Sequence, residues 1–333
     1  MALRFGLLGA GRIGKVHARA LSADPGARLV AVADAIQDAA ADLAEKYGSS
    51  VRSIDEIVAS DDIDAVVICT PTTTHADLIE RFARAGKAIF CEKPIDLSLD
   101  RVKACLKVVN ETGAPLMVGF NRRFDPHFAA VRQAIEEGRI GTVEMVQIVS
   151  RDPGAPPAGY IKSSGGIFRD MTIHDFDMAR FILGEEPDTV SAAGSVLTDP
   201  AIRDLGDHDS VSVILTTPSG RHATISNSRR ATYGYDQRLE VLGSDGAVAV
   251  ENQRPISIEV ATVAGYTRPP LHDFFMTRYT EAYAAEIASF IEAIGNGKAP
   301  APSGEDGLLA LALAEAAIRS ASEGRAVKVS EIL

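Results

Sequence analysis

A glycine cluster wedged between a short apolar run and an amphipathic stretch restricts the fold of this chain more than any other feature. Gly9-Ala-Gly-Arg-Ile-Gly14 follows the apolar residues 4–8 and opens a helical pattern over 14–23. Glycines at these spacings permit a tight strand-to-helix turn, let the backbone approach a bulky anion and allow close helix–strand packing. Apolar runs recur at 29–33, 65–69, 88–91 and 116–120, separated by amphipathic patterns at 38–47, 74–85 and 99–112. Buried runs spaced by amphipathic helices predict βαβ units and a parallel sheet covered on both faces.

The pattern changes near residue 120. Asp125-Pro126 reads as an N-cap followed by proline in the first helical turn, opening a helix to residue 137. After one more helix (170–183), period-two alternation at 142–149, 189–197, 210–217, 223–228, 238–242, 247–251 and 256–260 predicts a meander of antiparallel strands. Pro218-Ser-Gly220 and Ser244-Asp-Gly246 supply turns. Helices over 277–295 and 305–322 close the chain. A length of 333 residues fits two domains. The expected division is an N-terminal Rossmann dinucleotide-binding domain over 1–120 and a C-terminal α+β domain over 121–333 with a large, mainly antiparallel sheet.

Composition excludes several classes of function. With 34 basic and 45 acidic side chains the net charge is −11, which repels a phosphate backbone and argues against a nucleic-acid partner. No run reaches the roughly 20 apolar residues that span a bilayer, and the apolar N-terminus lacks the basic flank of a signal peptide. Cys69, Cys91 and Cys105 are too few and too scattered for a disulfide framework or a metal cluster, and fit reduced, buried thiols. A cytoplasmic protein with no membrane partner is expected.

Three segments carry chemistry. The glycine turn, with Arg12 and Ile13 inside it, presents the N–H groups of a helix N-terminus to a pyrophosphate. Asp34 lies 20 residues after Gly14 at the end of the second run, where an acid accepts from a ribose 2′-hydroxyl and repels a 2′-phosphate; no Arg or Lys follows at 35–37. NAD is favoured over NADP. Cys91-Glu-Lys-Pro94 stands at the carboxyl end of a predicted parallel strand, the edge where ligands of such sheets bind. Glu92 and Lys93, with Thr70, Pro71 and His75 after the preceding strand, are therefore expected in the cofactor region. In Asp170-Met-Thr-Ile-His174-Asp-Phe-Asp177 the spacing puts Asp170, His174 and Asp177 on one helix face. A carboxylate one turn from an imidazole makes a general base for a hydroxyl proton. A metal site and a simple helix cap remain alternatives, although no further His or Cys completes a zinc set. Asp175 and Asp177 are expected on the helix surface or behind the catalytic groups.

In combination these motifs resemble the glucose–fructose oxidoreductase/inositol dehydrogenase/rhizopine-catabolism (Gfo/Idh/MocA) family. The resemblance runs nearly end to end through Thr70-Pro-Thr-Thr-Thr-His75, Gly119-Phe-Asn-Arg-Arg-Phe-Asp125, Tyr233-Gly-Tyr-Asp236 and Ala282-Tyr-Ala-Ala-Glu-Ile-Ala-Ser-Phe290. Within the family it is closest to the NAD-dependent inositol 2-dehydrogenases. It implies oxidation of a secondary ring hydroxyl of a cyclic polyol, myo-inositol to 2-keto-myo-inositol (scyllo-inosose), as in polyol catabolism. It further implies His174 as general base, Lys93 stabilising the reacting oxygen and Asp170 as partner of the histidine and substrate. Asn121, Arg122, Asp152 and Tyr235 would contact ring hydroxyls, and no metal is implied. Asp152 stands where some inositol enzymes have asparagine, and Asn121 replaces a more apolar residue. The resemblance also implies a homo-oligomer, dimer or tetramer, built on the open sheet face. A dehydrogenase of an aldose or other sugar derivative, and a non-catalytic NAD-sensing regulator, are the alternatives; a sensor would not require Lys93, Asp170 and His174 together.

Overall fold

A computed structural model describes residues 2–333. It opens with β1 (Leu3–Leu8), α1 (Arg12–Ala23), β2 (Ala27–Ala33), α2 (Gln37–Tyr47), β3 (Ser50–Val51) and α3 (Ile54–Ala59). There follow β4 (Ala65–Ile68), α4 (His75–Arg84), β5 (Ala88–Glu92), α5 (Leu99–Thr112) and β6 (Leu116–Gly119). All six strands are parallel, in the order β3–β2–β1–β4–β5–β6. Every residue of β4 is buried, as a strand covered on both faces requires. The order reverses between β1 and β4, and the carboxyl ends of strands at such a switch form a ligand crevice.

The remaining elements are α6 (Pro126–Glu136), β7 (Val143–Arg151), α7 (Ala158–Ser164), α8 (Ile173–Leu183), β8 (Thr189–Ser195), α9 (Pro200–Asp204) and β9 (Ser210–Thr216). After them come β10 (His222–Ser228), β11 (Asp236–Gly243), β12 (Gly246–Val250), β13 (Val260–Thr262) and β14 (Gly265–Thr267). Helices α10 (Phe275–Arg278), α11 (Thr280–Gly295) and α12 (Gly304–Glu323) precede the last strand, β15 (Val327–Lys328). Seven strands form one sheet in the order β12–β11–β7–β10–β9–β8–β15. It is mainly antiparallel, but β10 runs parallel to β7, so the sheet is not a simple meander. The N-terminus of α6 forms as its sequence predicts, with the Asp125 side chain accepting from the His127 and Phe128 N–H groups ahead of Pro126 in the first turn.

One expected strand is absent. Residues 256–260 alternate as a strand would, yet only Val260 is extended within a sheet, in the small β13–β14 hairpin. Ile256, Ile258 and Val260 are all at least half exposed, so within one chain the segment has no surface against which to bury its apolar side.

The chain forms two compact units that are not contiguous in sequence: residues 1–124 with 280–311, and residues 125–279 with 312–333. Helix α11 therefore belongs with the parallel sheet. Its Ile287, Phe290 and Ile291 complete the core formed by Phe5, Leu7, Val67 and Phe90, with Phe290 against the rings of Phe5 and Phe90. Among the described residues no helix is long and apolar enough to cross a membrane. All three cysteines are buried and free. Burial pushes the Cys69 and Cys91 thiols well above the usual range and Cys105 up to about 12, so all three stay protonated and act as small apolar side chains.

Candidate active site

In the first unit the glycine turn is as crowded as its pattern demands. Gly9 has φ of +97°, and a Cβ there would stand 2.6 Å from the Cys69 carbonyl oxygen. A Cβ on Gly14 would fall 1.9 Å from the Gly9 carbonyl oxygen. Around Gly11, by contrast, nothing lies within 4 Å. Gly11 caps α1 without a side-chain hydrogen bond, so the N-terminus of the helix opens beside that empty space. That cradle at the helix N-terminus, lined by exposed Arg12 and half-buried Ile13, fits the pyrophosphate of a dinucleotide.

Asp34 stands at the end of β2. Its carboxylate accepts from the Ala10 N–H (2.5 Å) and the Ile36 N–H (2.7 Å), tying the second strand to the glycine turn. A carboxylate has about four acceptor sites, so two remain for a ribose hydroxyl.

Beyond β4, Thr70 and exposed Pro71 begin a short 3₁₀ turn, with the Thr70 and Thr74 hydroxyls 2.7 Å apart. His75 is buried, and its two ring nitrogens face the carbonyl oxygens of Pro94 (2.8 Å) and Thr70 (2.7 Å). Burial lowers its pKa despite those carbonyls. It thereby braces the Thr70 and Pro94 segments against each other. Glu92 is also turned inward: its Oε1 lies 2.6 Å from Nε2 of buried His17. Lys93 follows it and remains partly exposed. Asn121 and Arg122 are both buried in the turn after β6, whereas Arg123 pairs with Asp306 at 2.9 Å. Of the two arginines, Arg122 is the inward one.

In the second unit, Asp170 and His174 fall on either side of a change in helical pitch. Phe168–Thr172 forms a π-helical turn that runs into α8 at Ile173. Both side chains are partly exposed. Asp170 Oδ1 accepts from the Tyr160 hydroxyl at 2.9 Å, and Oδ2 lies 3.7 Å from the guanidinium of Arg229. Arg229 is 1% exposed and also lies 3.6 Å from Asp207. The base of α8 is pinned by a buried polar network. Asp175 accepts from Ser150 (2.6 Å) and Asn227 (2.8 Å), while Thr172 donates to Asn227 (2.7 Å). Asp177 is buried 3.8 Å from Arg180. Asp175 and Asp177 are thus interior anchors that hold His174 in place, not surface acids. Their partners sit on β7, β10 and the last turn of α8, which leaves no room for a solvated face.

Asp152 follows β7, with its backbone fixed to Ser228 (2.9 Å) and Ala231 (2.7 Å) and its side chain half-exposed. Tyr235 is buried with its ring against Phe274 and Tyr279, an aromatic packing position as much as a polar one. Tyr233 is instead half-exposed and bonded to Arg151 and Asp236. Tyr160 and Arg229, which touch Asp170 directly, gave no signal in the sequence. They lie 10 and 59 positions from it, with no motif linking them.

A parallel sheet in this order, an open glycine cradle and an acid at the end of β2 define an NAD-binding Rossmann oxidoreductase. Residues 3–120 match the oxidoreductase family with NAD-binding Rossmann fold, and residues 128–249 match the GFO/IDH/MocA C-terminal domain. The chain belongs to the GFO/IDH/MocA family. It is 73% identical to an inositol 2-dehydrogenase of Rhizobium meliloti, over 99% of this chain and 100% of that protein. Among solved structures it is similar to a myo-inositol dehydrogenase from Corynebacterium glutamicum, with a TM-score of 0.95 and 44% identity over 98% of this chain and 99% of that one. It is also similar to scyllo-inositol dehydrogenase from Lactobacillus casei with bound NAD(H) and scyllo-inositol, with a TM-score of 0.92 and 28% identity over 99% and 100%.

Proposed function

We propose that the protein is an NAD-dependent inositol dehydrogenase that oxidises a secondary ring hydroxyl, converting myo-inositol to 2-keto-myo-inositol. The observation that carries this is the 73% identity, over essentially the whole of both chains, to an inositol 2-dehydrogenase. NAD, when bound, supplies the hydride acceptor. The protein supplies position and proton transfer. The N–H groups at the start of α1 hold the pyrophosphate, and Asp34 meets the adenosine ribose while denying room to a 2′-phosphate. His174 takes the hydroxyl proton as general base. Asp170 orients it and contacts the substrate. Lys93 stabilises charge developing on the reacting oxygen. Arg122, Asn121, Asp152 and Tyr235 hydrogen-bond the remaining hydroxyls, a mode of recognition that rejects analogues lacking one.

The exposed Met145, Ile214 and Leu242 on the face of the seven-stranded sheet support a homo-oligomer, a dimer or tetramer, assembled through that face. Three unpaired thiols support a reducing compartment, the cytoplasm. The test is NADH formation at mildly alkaline pH with myo-inositol, scyllo-inositol, other inositols and common aldoses, each with NAD or NADP. Turnover of myo-inositol with NAD is expected. Activity confined to aldoses moves the substrate, and NAD binding without turnover of any polyol overturns the enzymatic assignment in favour of a sensor.

A further inference from the structure

The first unit contains one cluster of buried titratable groups that the proposed chemistry does not use. His17 on α1, Glu92 at the end of β5 and Glu286 on α11 bring their ring nitrogen and carboxylate oxygens within 4.8 Å of one another. His17 and Glu286 are completely buried. His17 Nε2 meets Glu92 Oε1 at 2.6 Å, and its ring lies edge-on to Phe90 and Tyr283. Among the described residues neither oxygen of Glu286 has a hydrogen-bond partner. Gly119 sits over Glu92, where a Cβ would stand 3.2 Å from the carboxylate, so the space is made to measure.

Two carboxylates this close, sharing one imidazole in a largely buried site, cannot both stay ionised without a further positive charge. The charges that bear on Glu286 are those of Glu92 and, within the same cluster, His17 and the Cys69 thiol, and no fixed cation is among them. Burial, then the charge of Glu92, push the Glu286 carboxyl well above its ordinary range. A hydrogen-bond distance of 2.6 Å between His17 and Glu92 leaves a proton, not a metal ion, as the particle between them.

We infer that Glu286 is a positioning residue: as a neutral acid packed behind the Glu92–His17 pair, it fills that space without a second charge and so keeps the pair, the end of β5 and the neighbouring Lys93 in place. Side chains alternate along an extended segment, so a carboxylate locked on one side sets the side from which the next residue leaves. The same cluster joins α1, whose N-terminus forms the pyrophosphate cradle, to the strand that bears the lysine. The effect on Lys93 rests on the proposed role of that residue; the proton on Glu286 does not.

Two measurements test this, on the full chain. The infrared spectrum in D2O at pH 8, where other carboxyls are ionised, should show the carbonyl stretch of a protonated carboxyl, and Glu286→Gln should abolish it. Absence of the band in the unmodified protein overturns the proposal, and so does a stoichiometric divalent cation in the purified protein by elemental analysis. In steady-state kinetics on the polyol that the protein oxidises, Glu286→Ala should lower kcat at least tenfold while the Kd for NADH stays within twofold. The conservative Glu286→Gln should restore kcat to within about threefold. A wild-type kcat in Glu286→Ala overturns the positioning role. Should that variant not fold, Glu286→Asp, which withdraws the acid by one methylene, gives the same reading. If no polyol is turned over, the proposed function fails while the infrared result still decides the proton.

Discussion

Substitution of Gly11 by alanine separates a turn built for a ligand from a turn that merely needs glycine. No atom lies within 4 Å of the position a Cβ would take, and the backbone there has φ of −70°, which alanine adopts freely. Removing a glycine gains about 0.4–1 kcal/mol by restricting the unfolded chain. Alanine is a poorer N-cap than glycine by a similar amount, roughly 0.5–1 kcal/mol. The two offset, so Gly11→Ala should fold with stability within about 1 kcal/mol of the parent and a Tm within about 4 °C. The open space matters only when a pyrophosphate fills it. A methyl group there blocks at least one charge-assisted N–H contact worth about 1.5–3 kcal/mol, hence a loss of NAD affinity of about tenfold or more. Gly14→Ala is the control. Its Cβ would lie 1.9 Å from the Gly9 carbonyl oxygen, so it should destabilise the apoprotein by about 1–3 kcal/mol or more through backbone displacement. Denaturant melts and calorimetric NAD titrations on both variants read the two effects separately. Unchanged NAD affinity in a folded Gly11→Ala would refute the placing of the pyrophosphate in this cradle.

Other perturbations test neighbouring parts. Asp34→Ala removes an acceptor for the ribose and frees the Ala10 N–H, so NAD affinity should fall by about tenfold and discrimination against NADP should shrink, as measured by parallel titrations. On the proposed assignment, His174→Ala and Lys93→Ala should each cut kcat by about a hundredfold or more with NADH affinity nearly unchanged; wild-type turnover in either removes that residue from the mechanism. Asp209 is fully buried; burial pushes its carboxyl up, but the N–H groups of Leu197, Thr198 and Asp199 and the Thr198 hydroxyl outweigh this and hold its pKa at about 2. A group held low stabilises the fold above its unfolded pKa, and that contribution is lost as the pH falls through the folded value. Asp209→Asn should therefore cost about 2 kcal/mol at pH 7, a difference that fades between pH 4 and pH 2 in urea melts.

The parallel sheet was legible because each of its strands is an unbroken apolar run and each crossover helix carries its own amphipathic period. Asp125-Pro126 and the glycine turn were equally plain, since capping and tight turns are set by residues adjacent in the chain. Strand 256–260 misled for the opposite reason: alternation reports only that one side of a segment is apolar, not that the fold offers a surface to cover it. Helix α11 was found, but chain order put it in the C-terminal domain over 121–333, whereas it packs with the first unit. Its apolar face would suit either sheet, and only the chain's return to the Phe5–Phe90 core decides between them.

The candidate site divides along the same line. The crowded glycine turn of Gly9, Gly11 and Gly14 and the place of Asp34 beside it were legible because they follow from backbone geometry at fixed offsets. Glu92, His75, Asp175 and Asp177 were read as polar and therefore near the cofactor, on a helix surface or behind the catalytic groups. Each is tied inside the fold to a partner that no local motif announces: Glu92 to His17, His75 to Pro94, Asp175 to Asn227 and Asp177 to Arg180. A buried acid is tolerable only if something neutralises or hydrogen-bonds it, and a single sequence does not say which distant side chain will. Arg229 beside Asp170 and Glu286 beside Glu92 belong to this class. In both, a group from another element sits behind a residue of a local motif, so the motif is legible in the sequence while the topology supplies what holds it.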